Sequence, residues 1–156
     1  MKNAPWEIEL IPDASNVYRL IPSHMVKKGS RIPAESMFVP DADGLSVDWD
    51  KYATPEESLI RTGLTFRFNS QEFKDPARFM VFKLHVGQVR KLEGVVEVNH
   101  TPVFHGNPPP TGRPNNRSHS SVTGTDEEVR LKLRDAAVEV MADIVRVLEE
   151  VKAKRS

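Results

Sequence analysis

The chain contains no cysteine. Disulfides, zinc–thiolate centres and thiol catalysis are therefore excluded. It also lacks net charge, with 22 basic and 22 acidic residues. A balanced chain has little counterion-release drive toward nucleic acid and no general pull toward an anionic membrane surface. No run approaches the roughly 18 apolar residues of a membrane span. The opening MKNAPWEIELIPDAS carries two glutamates and two prolines where a signal peptide needs an apolar stretch. The expectation is a cytoplasmic protein, acting without membrane or nucleic acid. Short chemical signatures are missing too: the sequence has no GxGxxG, no GxxxxGK[ST], no HExxH and no GxSxG.

What is present is one unusual segment, residues 99–124, NHTPVFHGNPPPTGRPNNRSHSSVTG. It holds three of the five histidines, five of the twelve prolines, two arginines and no carboxylate. Proline has no amide donor and a fixed φ, so this stretch is expected to be a long loop rather than a helix or a central strand. Long loops within compact domains are functional or disordered. The surrounding charge agrees, since residues 63–125 carry eight basic against four acidic side chains, whereas residues 1–62 carry seven against ten.

At 156 residues the chain is long enough for a single domain, 1–156, with its own core. VYRLI at 17–21, MFV at 37–39, LSVDW at 45–49, LTFRF at 64–68, FMVFKLHV at 79–86 and VVEV at 95–98 read as strands. TPEESLIRTG predicts a helix: Thr54 caps, Pro55 opens, Glu57 completes a capping box and Gly63 ends it. A short helix is expected around 88–92. From Thr125, apolar residues recur at Val129, Leu133, Ala136, Val140, Ile144, Val147 and Val151, with Thr125 and Glu128 as a second capping box. That pattern predicts one amphipathic helix over about 125–153. The expected fold is α+β: a mixed or antiparallel sheet of five to six short strands, covered by this long C-terminal helix. The same stripe satisfies a heptad for three repeats, so a homodimer through the helix is the alternative use.

The candidate chemistry lies on the 99–124 loop and the first strand. His100, His105 and His119 share the loop, but spacings of five and fourteen match no metal pattern, and no metal site is expected. His119, flanked by Asn115, Asn116, Ser120 and Ser121, is the expected catalytic acid–base, placed just ahead of a helix N-terminus. Arg113 and Arg117 are the only charges between Thr101 and Thr125, and with Asn116 they suit a phosphate or carboxylate. Arg19 interrupts the apolar face of VYRLI, which calls for an ion pair with Asp48, Asp50 or Glu97, or a role as an anion clamp.

The combination of YRLIP, LSVDW followed by TPEES, and NRSH ahead of the terminal helix resembles small uncharacterised bacterial proteins. Its opening is also similar to RES-type ADP-ribosyltransferase-like domains, which begin with a strand carrying an arginine for the dinucleotide. The resemblance implies that Arg19 meets a dinucleotide and that Ser46 or His119 lines the pocket. The functional expectation is a pocket between the first strand and the 99–124 loop for a phosphate-bearing small molecule or nucleotide, with or without turnover. Arg19, Arg113, Asn116 and Arg117 would hold the ligand. The alternative is a non-enzymatic subunit or immunity-type protein that docks a protein partner through the loop and the C-terminal helix.

Overall fold

A computed structural model describes residues 4–39, 44–124 and 128–156. The fold is α+β, built on one antiparallel sheet of six strands in the order β4-β5-β2-β1-β3-β6. The strands are β1 (Asn16–Pro22), β2 (Leu45–Trp49), β3 (Phe79–His85), β4 (Val95–His100), β5 (His119–Gly124) and β6 (Val138–Val140). Four helices complete it: α1 (Pro55–Gly63), α2 (Val86–Arg90), α3 (Val129–Ala136) and α4 (Ile144–Arg155).

Alternation along the central strands divides the molecule into two faces. Val17 and Ile21 of β1, Phe82 and Leu84 of β3, and Leu45, Val47 and Trp49 of β2 point to one core, sealed by Val129 and Leu133 of α3. Val81 of β3, with Tyr18 and Leu20 of β1, points to the other, sealed by Leu59 and Ile60 of α1 and Val147 and Val151 of α4. Helix α1 forms as its sequence dictates. Thr54 accepts from the Glu57 amide while the Glu57 carboxylate accepts from the Thr54 amide, and Pro55 opens the first turn. Gly63 closes α1 for a packing reason, because a Cβ there would lie 2.7 Å from Val151 Cγ2 of α4.

The single helix expected over 125–153 is not formed. Residues 125–127, including the Thr125 cap, lie outside the described residues. Helix α3 ends at Ala136, Ala137 turns extended, and Val138–Val140 joins the sheet edge opposite Lys83, Phe82 and Val81. Asp143 then accepts from the Arg146 amide and caps a new helix. The open edge of β3 offers backbone partners to a β-branched Val-Glu-Val run, and this outweighs helical periodicity. Strand β6 thus carries the chain around the sheet edge. The first half of the apolar stripe is buried on one face and the second half on the other.

Three smaller expectations also change. Residues 35–38 form a 3-10 turn rather than part of a strand at 37–39. LTFRF makes only isolated bridges, Thr65 with Gly112 and Phe66 with Phe73, because its partners are loops. His119 begins a strand, β5, inside the segment expected to be loop, so no helix N-terminus lies beside it.

The contact between Gly63 and α4 gives a direct test. Gly63→Ala should lower stability by about 1–3 kcal/mol through overpacking. Val151→Ala in the same chain should recover part of that loss, measured as a positive coupling in denaturant unfolding.

Candidate functional site

Helices α1 and α4 cover only part of their face of the sheet. Beyond them, over β2 and β5, the face is polar: Ser46 and Asp48 alternate with Leu45, Val47 and Trp49, and His119 and Ser121 alternate with Ser120 and Val122. The register sets Tyr18 opposite Asp48, Asp48 opposite His119, and Ser46 opposite Ser121. This row forms the floor of an open cleft of about 1060 Å³, walled by the end of α1, the 65–71 turn and the 103–116 loop. That volume lies at the upper end of small-molecule sites.

The proline-rich loop is ordered by its asparagines. Val103 and Asn116 exchange both backbone hydrogen bonds at 2.8 Å and pinch the loop shut. Inside the pinch, Asn115 Oδ1 accepts from the His105 amide and its Nδ2 donates to the Gly106 carbonyl, both at 2.7 Å. The loop is tied to the opposite wall at Gly112, whose carbonyl accepts from the Phe66 amide at 2.9 Å. Gly112 has φ +80°, and a Cβ there would fall 2.1 Å from the Phe66 ring. Only glycine fits that crossing.

Asp48 joins floor and walls. Its Oδ2 accepts from Ser58 Oγ at 2.7 Å and from Arg61 Nη1 at 3.0 Å, both on α1. Its Oδ1 accepts from Asn116 Nδ2 of the loop at 2.8 Å. The Asn116 amide is oriented by its other end, where Oδ1 accepts from the Ser118 amide at 3.0 Å. The ion pair is largely withdrawn from solvent, with side-chain exposures of 19% for Arg61 and 11% for Asp48.

The lining is strongly one-sided in charge. Arg19, Arg61, Lys74, Arg67 and Arg113 line the cleft, and among the described residues Asp48 is its single carboxylate. Asp48 is paired with Arg61, and Lys74 and Arg113 form no ion pair among the described residues. Arg67 meets Glu72 only at the 3.9 Å limit, with both side chains well exposed. Arg19 sits where β1 and β2 part after the Tyr18–Asp48 pair. It fills the gap by donating from Nε to the Met37 carbonyl at 3.2 Å and from Nη1 to the Ser46 carbonyl at 3.0 Å. Its expected carboxylate partners are engaged elsewhere: Asp48 by Arg61, Asp50 by Asn16 and Glu97 by Arg90.

Of the five site residues expected from sequence, Arg19, Arg113, Asn116 and His119 line this one cleft. Arg117 does not. Its guanidinium lies over the Tyr52 ring, 4.1 Å from the centroid, beside Trp49 and His100. His100 is buried and structural, accepting at Nδ1 from the Glu9 amide and bonding the Arg117 carbonyl through Nε2. Among the described residues, no three His, Cys, Asp or Glu side chains gather as a metal set. Sequence reasoning missed Arg61, Lys74 and Arg67 as cleft residues, and it read Asp48 only as a partner for Arg19. The legible signal for Asp48 was its place on the polar alternation of LSVDW.

No family model, curated protein or solved structure matches this chain.

His105 carries the electrostatic signature of the cleft. Burial, and secondarily the nearby Arg113 guanidinium, hold its imidazole below the ordinary value. An NMR titration should therefore place the His105 midpoint below about 6.5, and Arg113→Ala should move it partly back up. Because the folded state resists protonation here, this residue should cost stability as pH falls from about 6.5 toward its lowered midpoint.

Proposed function

We propose that the cleft binds a phosphate-bearing small molecule, with a nucleotide or dinucleotide as the class that suits its size. The observation that carries this reading is the charge of the lining: five cationic residues from four separate segments line one cleft, and its single carboxylate among the described residues is already paired within the protein. Converging guanidinium groups in a partly desolvated concavity are the usual apparatus for phosphate, through charge-assisted and bidentate hydrogen bonds. The cleft also has an apolar side, with Phe66 and Phe79 in its wall and Phe68 99% exposed at its lip. Rings at the mouth of a cationic pocket offer a stacking surface for a base or nicotinamide. The resemblance of the opening strand to RES-type domains supports the same ligand class, with Arg19 on the phosphates.

Arg113 and Lys74 form no ion pair among the described residues, so they can turn to a ligand without breaking an internal contact. Thermal-shift screening against nucleotides, NAD and sugar phosphates should find a stabilising ligand, since a hundredfold excess over Kd stabilises by about 2.7 kcal/mol. Arg113→Ala and Lys74→Ala should each weaken that ligand by about 1.5–3 kcal/mol while leaving the unliganded melting temperature unchanged. No stabilisation by any phosphate compound would end this reading.

A second reading, docking through α4, has one observation in its favour. Ile144, Val145 and Leu148 reach solvent on α4, beside Met141 at 80% exposure and the edge strand β6. Sedimentation equilibrium at micromolar concentration checks it. A dimer dispersed by Val145→Glu would uphold an α4 interface, and a monomer throughout would remove self-association through this face.

A further inference from the structure

The protons around His119 can be assigned from their partners. Its Nδ1 lies 2.9 Å from the Thr101 carbonyl, which can only accept, so Nδ1 carries the hydrogen. Thr101 Oγ1, at 3.0 Å, shares that donor and is itself hydrogen-bonded with Ser121 Oγ at 3.1 Å. The neutral ring is thereby left with a lone pair on Nε2. That atom points into the cleft and meets Ser46 Oγ at 3.3 Å. Three other hydroxyls in the wall are committed as donors within the protein: Ser58 to Asp48, Thr62 to the Ser58 carbonyl and Thr65 to the Arg61 carbonyl. Ser46 is exposed, lines the cleft and faces a base.

A hydroxyl, a base within reach of it, and a third group fixing the tautomer of the base are the parts of an activated serine. Here the third group is a backbone carbonyl, which orients the ring without adding charge. We propose that Ser46 and His119 form a nucleophile–base dyad that cleaves a phosphoester held in the cleft. The inference rests on the phosphate reading above for its substrate class. Ser46 Oγ attacks phosphorus as His119 Nε2 takes its proton. The new P–O bond forms, the bond from phosphorus to the leaving oxygen breaks, and the imidazolium returns the proton to that oxygen. Water then attacks the phosphoserine with the same base, releasing phosphate and restoring the serine hydroxyl. Arg113, which lines the same cleft and forms no ion pair among the described residues, would meet the charge on the phosphoryl oxygens.

Diisopropyl fluorophosphate, small and uncharged, tests the dyad without help from the cationic wall. The protein should release fluoride and carry the diisopropylphosphoryl group on Ser46, found by peptide mass mapping, and Ser46→Ala should not react. His119→Ala should slow labelling about a hundredfold or more, with free imidazole restoring part of the rate. His119→Asn keeps a donor for the Thr101 carbonyl and lacks the base, so it carries the same comparison should the alanine variant unfold. Ser46 left unlabelled, or labelled as fast without His119, overturns the dyad even where nucleotides bind. Labelling of Ser46 in a protein that binds no phosphate compound overturns the substrate class while the dyad stands.

Discussion

The architecture of the cleft depends on one buried carboxylate. Asp48 stands in the middle of the sheet, and its two oxygens receive donors from elements distant in sequence, α1 on one side and the proline-rich loop on the other. Removing such a carboxylate leaves Arg61 charged, unpaired and largely withdrawn from solvent, and breaking a buried pair costs about 3–5 kcal/mol. The arrangement is self-consistent. The strand supplies the acid and the helix supplies Ser58 and Arg61 from adjacent turns. The loop supplies an amide whose orientation is set by Ser118. The Gly112 crossing onto Phe66 then holds the two walls to each other as well as to the floor.

This hub explains how a chain without net charge presents a cationic surface. Asp48 is consumed internally, and other described acids are engaged elsewhere: Asp50 bonds Asn16, Glu9 bonds Lys51 and Tyr52, and Glu57 caps α1. Local separation of charge, rather than composition, creates the field that an anion would meet. Burial is the main cause of the lowered affinity of His105 for protons, and the same separation adds to it through the neighbouring Arg113.

The parts of the fold legible in the sequence were those whose signals are local. The Thr54–Glu57 box forms as written, and the alternation of VYRLI, LSVDW and FMVFKLHV gives three of the central strands. The long helix failed because a three–four stripe looks the same in one helix as in two short ones buried on opposite faces of a sheet. What separated them, the pairing of Val138–Val140 with β3, is a long-range contact. LTFRF alternates like a strand yet finds only loop partners, and HSSVTG lacks the apolar density that marks β5. At the site, the odd charges were the useful clue: Arg19, Arg113, Asn116 and His119 do share a cleft. Arg117, one residue beyond Asn116, turns away to Tyr52 where the chain makes a turn ahead of β5. Arg61 and Lys74 were not legible because helix and turn cations look alike whether they face solvent or a site.

Titrating pyrophosphate into the parent protein and its Asp48→Asn variant by calorimetry separates this account from simple electrostatics. Deleting a carboxylate from a cationic cleft should, by charge alone, tighten an anion. If Asp48 assembles the cleft instead, the parent binds pyrophosphate and the variant, with Arg61 and Asn116 released, binds about tenfold or more weakly, a loss of at least about 1.4 kcal/mol. Equal or tighter binding by Asp48→Asn, or no binding by the parent, would contradict the account.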